Sequence, residues 1–184
     1  MEKTLAAKLP AQEAWNKFID YHEKSVPKPY WASLKKINVK KEVAELATWM
    51  QALATNSPIP TRTVALWIGI LMLQVGKKER PGIYLIGANS YSDKDHDWAC
   101  NAKYLPENRY ALSRNLKKIE TAISKDKVDN LFLGWILPLA YCAFLLDETI
   151  RTKLDKKLFL KRKKKLHVTV GHDDGDYVNV SPIE

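Results

Sequence analysis

The chain has 184 residues, 46% of them apolar and six of them tryptophan, which is enough for one domain with a real core and too apolar for a disordered polymer. Its formal charge is +9, but Arg151 to Lys165 holds nine Lys or Arg against one Asp, so the rest is close to neutral and a uniformly basic nucleic-acid binder is excluded. Cys100 and Cys142 stand far apart with no CxxC or histidine spacing, which argues against a disulfide framework or structural zinc site and points to reduced thiols in a cytoplasmic protein, with one long-range disulfide as the alternative.

The N-terminal residues Met1 to Lys8 lack the apolar stretch of a secretory leader. Ala11 to Lys24 spaces Trp15, Phe18, Ile19 and His22 as an amphipathic helix that Pro27 and Pro29 end, with Tyr30 and Trp31 as anchors of the connection. Val39 to Thr55 puts Val43, Leu46, Ala47, Met50, Leu53 and Ala54 on one face, leaving Lys40, Lys41, Glu42 and Glu45 mostly off it.

Thr63 to Val75 is almost wholly apolar, rich in β-branched and aromatic residues, and reads as a central strand, with a helix as the alternative. Gly76 to Gly82 reads as a polar turn and Ile83 to Gly87 as the returning strand of a hairpin. Asn89 to Glu107 has loop composition, and Ala111 to Ser124 carries Leu112, Leu116, Ile119 and Ile123 at helical spacing.

Asn130 to Lys153 is the most apolar segment, kinked at Pro138 or beginning near Leu137. Its uninterrupted run, Leu131 to Leu146, is about 24 Å long as a helix, shorter than a hydrocarbon core of about 30 Å, so a core helix rather than a membrane span is expected. Leu166 to Val170 alternates like a strand, Asp174-Gly175 is a tight-turn signal, and Tyr177 to Val180 completes a second hairpin. The expected class is α+β: amphipathic helices packed on an antiparallel sheet built from two hairpins.

Three clusters invite a chemical reading. Asp93, Asp95 and Asp97 begin like a calcium loop, but Trp98 and Tyr104 stand where such a loop needs Gly and Glu. An acidic loop whose aspartates cap their own backbone and whose Trp98 anchors it, followed by a buried Cys100, is the simpler reading. His172-Asp173-Asp174-Gly175-Asp176 is explained largely by turn chemistry. With His96 and His172 the two clusters hold the ligand types of a metal-dependent hydrolase, but nothing in the sequence brings them together, and no HExxH, Walker loop or GxSxG motif is present. Lys161, Arg162, Lys163, Lys164 and Lys165 suit a phosphate backbone by charge alone.

Two stretches carry a resemblance. Gly87 to Tyr110, with Asp95-His96-Asp97-Trp98-Ala99-Cys100, then Pro106 and Arg109-Tyr110, resembles a D-x-D-W-A-C…P…RY signature of small bacterial proteins. Val170 to Asp176 resembles the VGxDDGD ending of the same proteins, with His172 where an aromatic is more usual. Some of these are similar to the immunity partners of polymorphic toxins. The resemblance covers a third of the chain and brings no catalytic residue. The expected function is therefore a non-enzymatic, immunity-like binder of a protein partner, with Asp93, Asp95, Asp97, Asp173 and Asp176 as its candidate contacts, and the residues lead us to expect no cofactor, metal or membrane. Immunity proteins against nucleases tend to be acidic, so a chain of +9 implies another kind of target or a basic segment facing away. The other readings are an accessory protein gripping nucleic acid through 161–165 and a metal-dependent hydrolase.

Overall fold

The computed structural model describes residues 1–124, 126, 130–173 and 175–184. One turn, α1 (Glu2–Ala6), precedes α2 (Ala11–Ser25), whose Trp15, Phe18 and Ile19 are buried on one face as their spacing requires. The Ala11 N–H at the start of α2 donates to Glu148 Oε2 at 2.5 Å, so a carboxylate distant in sequence satisfies this helix end. After the prolines, α3 (Trp31–Lys35) buries Trp31, whose indole donates to the Val26 carbonyl at 2.8 Å. Asn38 caps α4 (Val39–Asn56) by accepting from the Lys41 N–H.

The apolar segment after Pro60 is strand β1 (Ala65–Val75), and it returns as β2 (Lys78–Ala88). The turn expected over 76–82 is only Gly76-Lys77, with Gly76 at φ 61°. Lys78, Glu79 and Arg80 look like loop residues because their strand is exposed there, not because it is irregular. The connection that follows contains one helical turn, α5 (Asp97–Cys100), and leads into a short strand, β3 (Tyr110–Leu112), where the helix was expected to have begun already. Ser113 accepts from the Leu116 N–H and caps α6 (Arg114–Ile123).

Helix α7 (Asn130–Thr152) keeps Pro138 inside it and starts well before Leu137. A short α8 (Lys156–Leu160), capped by Asp155, fills part of the basic segment. Strands β4 (His167–His172) and β5 (Tyr177–Asn179) form the expected second hairpin; Asp174, half of its turn signal, lies outside the described residues.

These elements make the α+β architecture expected, with one correction. The two hairpins join through a parallel pair, β1 beside β4 with Ala65 opposite His167 and Ile70 opposite His172. The result is a mixed five-stranded sheet, order β3-β2-β1-β4-β5. The side chains of Leu66, Ile68, Ile70, Ile83, Leu85, Val168, Val170 and Val178 join the main core, where α6 and α7 lie against the strands and α2 and α4 pack on α7. Leu131–Thr152 is long and apolar enough to cross a membrane, but most of it is buried against this sheet and the neighbouring helices.

Candidate surface over the aromatic sheet face

The sheet's other face has a different chemistry. One row across all five strands reads Tyr110, Tyr84, Gly69, Gly171, Tyr177. The paired glycines leave a furrow that rings fill. A Cβ on Gly69 would lie 1.9 Å from the Tyr84 ring, and one on Gly171 would lie 2.4 Å from Trp67. Tyr84 therefore lies flat over β1, and its hydroxyl donates to Asp173 Oδ1 at 2.5 Å. Burial and that carboxylate hold its phenol well above the usual range.

The connection after β2 runs over this face. Tyr91 stacks on His167 at 3.8 Å between ring centroids. Trp98, buried as expected, meets Trp67 edge-on at 6.1 Å. Further along, His96 lies 5.5 Å from the Tyr177 ring, and a Cβ on Gly175 would come within 3.0 Å of its Nε2. The two acidic segments thus meet, His96 against the β4–β5 hairpin. Burial lowers the pKa of His167, with Lys165 adding to the effect while Asp93 and Glu184 oppose it.

Asp93, Asp95, Asp97, Asp173 and Asp176 are all exposed. Asp95 accepts from the Asp97 N–H at 3.2 Å, the local capping expected of it. Asp93 reaches a cleft of about 540 Å³ that Glu2, Leu5, Asp147, Tyr177 and Asn179 also line. Among the described residues no group of three or more His, Cys, Asp or Glu side chains is placed to hold a metal. His172 turns away from the acidic residues, its Nε2 3.0 Å from the Trp135 carbonyl oxygen. Cys100 is exposed rather than buried, because Trp98 takes the inward position of a helix only one turn long.

No protein-family model, curated protein or solved structure matches this chain.

The basic segment lies at the opposite end of β4 from the acidic hairpin. Lys161, Arg162, Lys164 and Lys165 are exposed. Lys163 is not: its Nζ is buried with no hydrogen-bond partner among the described residues, and burial, then Lys161, lowers its pKa. Lys165 sits 3.9 Å from Glu184, and Lys156 donates to the Glu184 backbone carbonyl.

One polar constellation escaped the sequence. Glu42 is buried between α4, α6 and α7, where it accepts from Ser113 Oγ at 2.9 Å and from the Tyr141 hydroxyl. Asn115 Nδ2 donates to the same hydroxyl at 2.9 Å and to the Asn38 carbonyl at 3.0 Å. Burial, then Glu42, pushes the Tyr141 phenol far above its usual range and raises the Cys142 thiol. The available signal was positional: Glu42 precedes Val43 by one and Leu46 by four, at the margin of the apolar stripe. Side chains from three helices meet here, and the network fixes their relative positions.

Proposed function

We propose that this chain is a non-enzymatic protein-binding protein, immunity-like in the sense that it neutralises a toxin domain or similar partner by masking it. The observation that supports the reading is the meeting of the two acidic segments. The 93–97 loop and the 173–176 hairpin come from distant parts of the sequence, yet they adjoin above one aromatic sheet face with five exposed aspartates, of which Asp173 also accepts from the Tyr84 hydroxyl. Exposed carboxylates around half-buried aromatic rings suit a partner that presents Arg and Lys, since charge sets orientation and aromatic contact supplies affinity. The basic segment at the other end of β4 leaves this surface locally acidic despite the net charge.

The test is capture of a partner from host lysate by the tagged chain, repeated with Asp95→Asn/Asp97→Asn. The expected result is one dominant protein, lost in the variant and weakened by salt, while thermal melting of the variant is unchanged. Capture unaffected by the double substitution would sink this reading of the surface. Melting raised by manganese, magnesium, calcium or zinc, and no longer raised in the Asp95→Asn variant, would favour the hydrolase instead.

A further inference from the structure

Both outer edges of the sheet, β3 and β5, are only three residues long. A longer edge lies inside it. β4 pairs with β1 only as far as Ile70, so on that side Leu71 to Val75 runs on without a strand neighbour among the described residues. The groups left open follow from the ladder. On β2, the N–H groups of Leu85 and Gly87 and the carbonyl of Pro81 face away from β1, toward Arg109, Tyr104 and Ser113. Opposed residues of an antiparallel pair both face inward or both face outward. Their partners Ile68, Leu66 and Met72 therefore turn toward the β4 side, and Gln74 follows by alternation. Met72 and Gln74 thus present N–H and C=O groups with no partner among the described residues, on an overhang with no charged side chain, the kind of edge that accepts another strand.

Beside this edge lies an apolar groove of about 280 Å³ lined by Ile70, Met72, Leu116, Ile123, Gly134 and Pro138. Leu131, one turn before Gly134 on the same helix face, is 87% exposed. Charge selects the occupant. The arm's tip carries exposed Lys77, Lys78 and Arg80 against one Glu79, while exposed Asp173 and Asp176 stand at the end of β4, where the open edge begins. An antiparallel strand laid on Leu71–Val75 must end at that acidic tip. The same segment of a second copy would bring its own basic tip there, and two-fold symmetry would repeat the contact.

We propose that the chain forms a symmetric dimer in which the β1 overhangs of two copies pair antiparallel about an axis near Leu73. Met72 and Gln74 exchange backbone hydrogen bonds across the axis, and each basic arm tip meets the acidic hairpin tip of the other copy. The pairing lies in the plane of the sheet and does not depend on the proposed function. It draws Asp173 and Asp176 into the contact between copies and leaves Asp93, Asp95 and Asp97 of the 93–97 loop, above the aromatic face, open to a partner.

Sedimentation equilibrium on the full chain tests it. The wild type is expected to dimerise in the micromolar range at low salt and to weaken as salt rises. Gln74→Pro removes an edge N–H that the monomer does not use, so the variant should keep its circular dichroism and melting yet become monomeric. Lys77→Glu/Lys78→Glu sets acid against acid, and Asp173→Lys/Asp176→Lys sets base against base; each alone should weaken self-association by at least about tenfold. Mixed together, those two variants should form a heterodimer, because every tip then meets its opposite. A wild type that stays monomeric overturns the proposal, as does a folded Gln74→Pro that still dimerises. If Gln74→Pro does not fold, the mixing experiment decides: association of the mixture alone supports the dimer, and its absence refutes it.

Discussion

The two faces of the sheet are built on different rules. Under the helices, aliphatic side chains from β1, β2, β4 and β5 share one core with α2, α4, α6 and α7, and the principal polar intrusion is the Glu42 network. On the opposite face, two adjacent glycines make room for Tyr84 and Trp67, and the cover is one connection carrying Tyr91, His96 and Trp98. Close packing on the first face leaves little freedom to vary a residue without loss of stability. The second face is thinly covered, so its outward residues are free to serve recognition. Substitutions should therefore affect stability on one side and binding on the other.

The largest effect should come from Ile68→Ala on the helix side, a loss of about 3–5 kcal/mol in denaturant unfolding because the cavity lies in the centre of the core. A loss below about 1 kcal/mol would break the contrast. Next comes Tyr141→Phe, which removes a hydroxyl donor to a buried carboxylate and should cost about 2–4 kcal/mol. Gly69→Ala tests the furrow itself. The new Cβ must displace the Tyr84 ring and its bond to Asp173, at about 1–3 kcal/mol, and near-ultraviolet dichroism should change with it.

Asp95→Asn should shift stability by no more than about 0.5 kcal/mol while weakening partner capture, the signature of a residue that faces outward. The smallest effect concerns pH. The folded state depresses the pKa of His167, so it binds a proton less readily than the unfolded chain does. This contribution is intact above about pH 6.5 and is lost as pH falls below that value. His22, lowered by burial and by the N-terminal amine, acts with the same sign on the helix side. Comparing the wild type with His167→Gln between neutral and mildly acidic pH isolates the aromatic face; the variant should lose less stability.

Much of the helix face was legible because periodicity reports burial. Trp15, Phe18 and Ile19, then Val43, Leu46 and Met50, occupy the positions their spacing demands. Three features resisted. The polar start of β2 looks like a loop because strand pairing needs backbone, not apolar side chains. Pro138 reads as a helix start, yet one proline inside a well-packed helix is tolerated when its neighbours hold the turn. The parallel pairing of β1 with β4 leaves no local trace, since neither strand's own pattern encodes its neighbour. Of the candidate surface, the sequence supplied the five aspartates but not their meeting. That depends on Tyr84, Trp67 and the glycine pair, which read as ordinary strand residues.

The parallel pairing also orders events during folding. β1 and β2 meet through a two-residue turn, a contact that forms on the scale of microseconds. The partner of β1 on its other side lies about a hundred residues further along the chain, and closing so long a loop raises the contact order and slows the search. During synthesis the hairpin is therefore complete long before β4 exists. For that interval Leu66, Ile68 and Ile70 stand on a strand lacking one of its two neighbours, which is the period of greatest exposure to misassembly. Strands that emerge only after α7 close the centre of the sheet, so loss of β4 should leave an aggregation-prone product rather than a smaller folded one.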